Sequence, residues 1–309
     1  MHVALVGAGD LGRVLGVRLA VAAGLDVSFV TRRGGALGPL AIERVGRRGE
    51  RLGLPDVVAL REPPAHADAL VVTVRAEQLD ALLEAPWLRS SEAPVLCLTP
   101  LLPLALERVK GRLGARLAAA MPNVMAYRRE GLTRYWLSPR LVPMRVEAPK
   151  GPPPEPVARL VAALDRAGFA ARFELGTEEM NAATTVAALP LYMLPACGRG
   201  GLAEALADDE LSSLAFRALA ETRRLARHVG QPAPGASPLL ALARPWQLRA
   251  LARLGPSAGG EVAAFWDEHF GHKLAAQHRA MAHQVLALAR RLGVLLPNFA
   301  ALTARLPAP

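Results

Sequence analysis

Apolar residues form short unbroken runs in the first half of this 309-residue chain and recur at helical spacing in the second. Val3-Ala4-Leu5-Val6, Val27-Ser28-Phe29-Val30, Asp68 to Val74 and Pro94 to Leu98 are the clearest runs. Such runs mark strands buried on both faces of a parallel sheet. Between them, Val14, Leu15, Leu19 and Ala22, then Leu79, Leu82 and Leu83, then Leu104 to Leu113, carry helical spacing. Arg116 to Ala120, Tyr135 to Leu137, Met144 to Glu147 and Ala171 to Leu175 read as further strands, and Pro156 to Ala167 as a helix. Ala41 to Val45 and Val57 to Leu60 alternate only briefly and read as irregular strands in a crossover. From Thr177 onward the strand signals vanish, and helical periodicity covers 178–194, 211–229, 245–254, 260–289 and 298–304. Alternating strands and helices followed by helices alone predict a doubly wound α/β domain over 1–175 and an all-helical domain over 176–309. The rigid Lys150-Gly151-Pro152-Pro153-Pro154 is placed as a loop inside the first domain, because a helix and a strand follow it.

Gly7-Ala8-Gly9-Asp10-Leu11-Gly12 joins the first strand to the first helix, the context a GxGxxG pattern requires. Gly7 permits the tight turn, Gly9 leaves bare backbone where a pyrophosphate approaches, and Gly12 lets the helix pack close to its strand. The helix N-terminus offers unpaired N–H groups and the positive end of its dipole. This predicts a Rossmann dinucleotide site. The second strand ends in Thr31-Arg32-Arg33, where chains that take NAD place a carboxylate for the ribose 2′-hydroxyl. Two arginines and no acid suit a 2′-phosphate, so the expected cofactor is NADP.

Composition narrows the partners. The net charge of +10 comes almost wholly from arginine, since Lys110, Lys150 and Lys273 are the only lysines. The arginines are scattered along helices and aromatic content is 5%, which argues against nucleic-acid binding. The mean hydropathy of +0.22 is high. The most apolar stretch, Val186 to Cys197, holds Pro190 and Pro195 and is too short to span a bilayer. The first strand begins at the N-terminus, which leaves no room for a targeting segment. Cys97 and Cys197 make no framework and no CxxC pair, so a cytoplasmic location is expected. The apolar helical half suits a buried face in a homodimer.

With these motifs in hand, the chain resembles the ketopantoate reductase family of two-domain NADP oxidoreductases. The glycine turn, Arg32, the segment Val74-Arg75-Ala76-Glu77-Gln78 and the closing Leu292-Gly293-Val294-Leu295-Leu296-Pro297 match in order and spacing. The resemblance implies reduction of a 2-oxo acid by NADPH, with a lysine on the first helix of the second domain as general acid. It also implies asparagines beside that lysine and a glutamate on a later helix to hold the substrate. Counting from Pro190 and Gly293, the lysine falls at Asn181, neighbouring asparagines at Thr185 and Leu189, and the glutamate at Gln277. The Asn-Gly after the fifth strand becomes Pro100-Leu101. Cofactor groups are kept and substrate groups replaced, so ketopantoate itself is not the expected substrate. Arg75 can polarise a carbonyl but stays protonated. Ala119 to Asn123, with Gly131 downstream, resembles the arginine-x-Met-Pro-Asn segment of pyrroline-5-carboxylate reductases, where the asparagine lies near the nicotinamide. That family's Ser-Gly-Pro-Ala helix is absent, so Asn123 is either a cofactor contact or a turn asparagine.

Trp266 to Lys273 is the densest polar cluster of the helical half. Glu268 and His272, and His269 and Lys273, are spaced one helical turn apart. His272 or Lys273 could supply a proton; the plainer alternative is a solvated ion-pair face. His269 and His272 with a carboxylate have metal-ligand spacing, but no metal is expected. His278, His283 and Tyr192 read as structural. Two readings result. The first is an NADPH-dependent reductase of a small 2-oxo acid, ketone or imine bound between the domains. The second is a catalytically degenerate NADP-binding sensor or partner protein.

Overall fold

The computed structural model describes residues 1–45, 50–137, 142–198, 200–233 and 261–308, with 261–265 as backbone alone. The chain divides into two compact units, Met1–Thr99 with Glu107–Glu178, and Pro100–Leu106 with Glu179–Pro309. The boundary expected at 175 thus falls near 178, and Pro100–Leu106 groups with the helical unit.

The first unit is built on an eleven-stranded sheet. Its strands are β1 (His2–Val6), β2 (Asp26–Val30), β3 (Gly35–Arg44), β4 (Arg51–Leu60), β5 (Ala69–Val72) and β6 (Val95–Cys97). They continue with β7 (Leu117–Met121), β8 (Val124–Arg129), β9 (Leu132–Leu137), β10 (Arg145–Glu147) and β11 (Arg172–Glu174). The spatial order is β11-β10-β7-β6-β5-β1-β2-β4-β3-β9-β8. From β7 through β2 all neighbours are parallel, and each is an apolar run as expected. The helices here are α1 (Asp10–Val21), α2 (Leu79–Leu83), α3 (Pro86–Ser90), α4 (Pro103–Leu113) from Glu107 onward, and α5 (Glu155–Leu164).

Two hairpins widen the sheet beyond its parallel centre. The stretches read as irregular crossover strands are a hairpin of two ten-residue strands, β3 and β4, with β4 parallel to β2. The reading fell short because Gly38, Pro39 and Pro55 interrupt the alternation, and because one face of the hairpin is solvated. Leu40 and Ile42 are buried, while Val58 is 61% exposed. The second hairpin adds β8, which the sequence reading missed, beside β9. Its turn residues Glu130 and Gly131 have φ of +52° and +79°, and Arg129 pairs with Leu132 across them. That is a two-residue turn of the mirror-image type matched to strand twist. Glutamate in place of the usual asparagine hid it.

α1 is the pivot of this unit. Val14, Leu15, Val17 and Leu19 have no exposed surface, and Gly16 lies where a Cβ would sit 2.3 Å from the Phe29 ring. Arg18 is buried with them. Its guanidinium donates to Glu50 (2.7 Å), to the Tyr135 hydroxyl (2.5 Å) and to the Ala167 carbonyl, and lies over the Tyr135 and Phe169 rings. One side chain thereby ties α1 to β9 and to the segment after α5.

The second unit is helical. Its helices are α6 (Thr177–Cys197), α7 (Leu202–Ala207), α8 (Asp209–Ala226), α9 (Glu261–Phe270), α10 (Ala275–Arg291) and α11 (Pro297–Ala304). α6 runs through Pro190 and Pro195, and its apolar residues from Ala182 to Leu194 are almost all buried. α7 was not anticipated. The single helix expected over 260–289 is two, because Gly271 ends α9: its backbone is extended, with ψ −155°, and a Cβ in that conformation would lie 2.3 Å from the Asp267 carbonyl oxygen, so glycine suits the break. The helix expected over 245–254 lies outside the described residues. None of the described helices is long and apolar enough to cross a membrane.

Side chains close the exposed helix ends. Asp208 accepts the Leu211 N–H at 3.0 Å and caps α8. Glu221, 3% exposed, takes the N–H groups of Asn298 (3.1 Å) and Phe299 (2.9 Å) at the start of α11. Asp267 accepts the Leu202 N–H at 2.6 Å at the start of α7.

Candidate functional site

The parallel strands end at one level. Val6 pairs with Val30 on one side and Val72 on the other, and Val72 pairs with Cys97. Gly7, Thr31, Thr73 and Leu98 therefore leave the same edge of the sheet. The chain departs from β1 towards β2 and returns on the far side at β5, so this edge holds the topological switch point, where ligands of open α/β sheets bind.

At that point the glycine turn is open. Gly7 has φ +109°, which other residues rarely adopt, and its N–H donates to the Val30 carbonyl at 2.9 Å. A Cβ on Gly12 would sit 1.9 Å from the Gly7 carbonyl oxygen, so only glycine lets α1 start here. A Cβ on Gly9 would meet no protein atom within 4 Å. Gly9 also caps α1 without any side-chain hydrogen bond, so no capping side chain covers the start of the helix. The loop carbonyls are already engaged. Thr73 Oγ1 donates to Gly7 at 2.9 Å, and Arg13 Nε donates to Ala8 at 3.1 Å. The donor side of the loop is thus the side with empty space, as a pyrophosphate requires.

Charge around the loop is balanced locally. Asp10 opens α1, and Arg128 of β8 lies 4.0 Å from its carboxylate. Arg13 is 9% exposed; burial and then the charge of Arg128 lower its pKa, while Asp10 acts the other way. Leu11 is half-buried.

Arg32 and Arg33 follow β2 and are both exposed. They sit on a turn closed by the Gly34 N–H, which donates to the Thr31 carbonyl (3.2 Å) and hydroxyl (3.1 Å). Among the described residues no carboxylate engages either guanidinium. The fold brings a third arginine beside them: Arg61, directly after β4, donates from Nε to the Arg33 carbonyl at 3.2 Å. Sequence reasoning missed Arg61. The signal was available only as an arginine ending a strand of unrecognised pairing.

Val74, Arg75 and Gln78 lie just beyond β5 at the same edge. The Val74 carbonyl accepts from Thr99 Oγ1 at 2.7 Å, a contact the sequence did not suggest. Gln78 Oε1 accepts the Arg75 N–H at 3.1 Å, and Arg75 lies 3.9 Å from Glu77. Gln78 therefore shapes the turn that presents Arg75. Asn123 is 6% exposed, and its amide nitrogen donates to the carbonyls of Val142 (2.9 Å) and Phe169 (2.7 Å). Those bonds make it a brace between chain segments and leave no donor on that nitrogen for a ligand.

In the helical unit, Asn181 and Thr185 occupy one buried face of α6, and the Thr185 hydroxyl reaches Asn181 Oδ1 at 3.5 Å. The expected one-turn pairs Glu268–His272 and His269–Lys273 are not made on a continuous helix. α9 stops at Phe270, and His272–Leu274 form a separate tight turn, with His272 exposed and Lys273 half-buried. The reason is again Gly271. Gln277, half-buried, stands in the first turn of α10. His278 is 2% exposed, its Nδ1 has no partner, and burial, then the nearby His269, lower its pKa to about 3. Tyr192 stacks on Phe270 with centroids 4.5 Å apart, and burial pushes its phenol up to about 12. Among the described residues no group of three or more His, Cys, Asp or Glu side chains is placed to hold a metal ion.

Residues 3–99, the segment carrying the glycine turn and the Arg32, Arg61 and Arg75 positions, match the family model described as ketopantoate reductase PanE/ApbA. Over that segment, less than half of the chain, the sequence is similar to the ketopantoate reductase family. Solved structures extend the likeness over the whole fold. A 2-dehydropantoate 2-reductase from Geobacter metallireducens superposes with a TM-score of 0.71 at 20% identity, covering 99% of each chain. D-mandelate dehydrogenase in a ternary structure with NADH and anilino(oxo)acetate gives 0.68 at 15% identity, covering 99% of this chain and 97% of that one. A dimeric ketopantoate reductase from Staphylococcus aureus gives 0.65 at 12% identity, with the same two coverages. No curated protein matches in sequence. At such identities the structural likeness establishes the fold, a Rossmann unit followed by helices.

Proposed function

We propose that the chain is an NADPH-dependent reductase of a small 2-oxo acid, ketone or imine. One observation carries the reading: an open glycine turn at the switch point stands beside unpaired arginines at the end of β2. When bound, the dihydronicotinamide supplies the hydride. The chain's own part is to hold and orient. First-turn N–H groups of α1 take the pyrophosphate, and Arg32 and Arg33 take the 2′-phosphate. Arg75 is presented at the end of β5, where its fixed positive charge can polarise a carbonyl. The proton is assigned to His272, Lys273 or water. Asn181, Thr185 and Gln277 are the polar groups proposed to meet the substrate.

Ketopantoate is not the proposed substrate, because the position at which the resemblance expects the lysine acid is Asn181. The S. aureus enzyme is dimeric and the mandelate enzyme was captured with an oxoacetate compound. We extend both features to this chain, as a homodimer acting on a 2-oxo acid in the reducing cytoplasm, where free Cys97 and Cys197 are at home. Asn181 also favours a second reading, an NADP-binding sensor or partner protein without turnover. The separating experiment is titration with NADPH and NADH, followed by NADPH oxidation against a panel of oxo acids and cyclic imines. Tight NADPH binding with flat absorbance across the panel leaves only the second reading; absence of nucleotide binding removes both.

A further inference from the structure

We propose that Arg61 is a third arm of the 2′-phosphate grip, so that cofactor choice is set by two adjacent strands, β2 and β4, and not by the end of β2 alone. The proposal rests on the NADP reading and names a residue toward which no sequence pattern pointed.

The pairing of β2 with β4 places Arg61. Val30 is opposite Leu60, and the Thr31 N–H donates to the Leu60 carbonyl at 2.9 Å, so Thr31 and Arg61 leave the sheet level with each other. The Arg61 side chain then crosses the turn that carries Arg32 and Arg33. Its Nε donates to the Arg33 carbonyl, and a Cβ on Gly34 would lie 2.9 Å from Arg61 Cγ. Gly34, at φ +64°, gives way to the arginine stem as well as making the turn.

The chemistry of the arrangement selects an anion. Arg32 and Arg33 lie on one turn that the Arg61 side chain reaches, and among the described residues none of the three has a carboxylate partner. Three like charges without counter-ion repel one another until an anion lies among them. A guanidinium has five N–H donors, and Arg61 spends one on Arg33, which leaves four. The anchored Nε holds the fork in place, so less side-chain freedom is lost when a phosphate monoester binds. A phosphate presents three acceptor oxygens and nearly two negative charges at neutral pH, and matches that donor set. A ribose 2′-hydroxyl offers neither.

The test compares ligands that differ only in the 2′-phosphate. Adenosine 2′,5′-bisphosphate and 5′-AMP are titrated calorimetrically, and NADPH and NADH by fluorescence, into wild type, Arg61→Gln, Arg61→Lys and Arg32→Gln. A charge-assisted hydrogen bond lost predicts roughly a 10-fold or larger weakening of the bisphosphate and of NADPH in Arg61→Gln. NADH and 5′-AMP should stay within about twofold, and Arg61→Lys should restore part of the loss. Unchanged thermal midpoints show that the exposed substitution leaves the fold intact. A wild-type NADPH preference that survives Arg61→Gln but not Arg32→Gln overturns the role of Arg61 and keeps the NADP reading. Equal weakening of all four ligands also overturns it, and a wild type without preference removes both.

Discussion

Alanine at Gly9 and alanine at Gly12 should fail in opposite ways, and the pair tests whether the turn is shaped for a ligand or merely for packing. Gly9 has φ −69° and ψ −176°, which alanine adopts without strain, and its new methyl would touch no protein atom within 4 Å. The folding cost is then that of a poorer N-cap, about 1 kcal/mol at most. The same methyl projects from the loop whose N–H groups are assigned to the pyrophosphate. Crowding by one methyl costs about 1–3 kcal/mol. At about 1.4 kcal/mol per tenfold, that is roughly 5- to 150-fold in Kd.

Gly12→Ala meets protein instead. Its Cβ would stand 1.9 Å from the Gly7 carbonyl oxygen and 2.8 Å from Thr73 Oγ1. The carbonyl belongs to the backbone of the turn, which must shift by more than an ångström. Thermal unfolding and NADPH titration of both variants give the comparison. Gly9→Ala should keep its midpoint within a few degrees and lose affinity, while Gly12→Ala should lose its midpoint first. Wild-type affinity in Gly9→Ala would falsify the assignment of the turn to the pyrophosphate, whatever Gly12→Ala did.

Four further outcomes follow from the interior. Arg18→Met removes the donor shared by Glu50, Tyr135 and Ala167 and should cost about 3–5 kcal/mol, read as a lower urea midpoint; a loss below about 1 kcal/mol would refute the bracing role. Although burial pushes the other way, hydrogen bonds and charge from Arg18 and Arg44 hold the Glu50 carboxyl below the usual carboxylate range. Its stabilisation is therefore present above the unfolded pKa and lost as pH falls through the folded one, so Glu50→Gln should narrow its deficit against wild type below about pH 4.5. Buried His278 titrates the opposite way to an ion-paired histidine. Its folded pKa of about 3 lies below the unfolded 6.5, so the unfolded chain binds the proton first and stability falls as pH drops from 6.5 towards 3. His278→Leu should flatten that slope in thermal midpoints measured across the range, and an unchanged slope would rule His278 out as its source. Glu221→Gln should weaken the start of α11 by about 1–3 kcal/mol, seen as faster amide exchange at Asn298 and Phe299; unchanged exchange there would show that the cap is dispensable.

The chain by itself determined what depends on neighbours in sequence. A strand, three glycines and a helix within residues 3–22 suffice for the nucleotide turn, because the constraints on Gly7 and Gly12 are local backbone clashes. Continuous apolar runs likewise announced β1, β2, β5 and β6, since a strand covered on both faces has no polar alternate. Tertiary structure decided the rest. β3 and β4 are solvated on one face and broken by glycine and proline, so only their pairing with β2 and β9 reveals them. That same pairing carries Arg61 to the arginine turn, 28 residues from Arg33. Gly271 could have lain within a helix, and it is its extended backbone, at ψ −155°, that puts His269 and Lys273 on different elements. Asn123 read as a ligand contact or a turn residue until the fold brought the Val142 and Phe169 carbonyls to its amide. Local rules act through a few bonds and are written in order along the chain; a partner 100 residues away is chosen by packing, and sequence spacing carries no record of it.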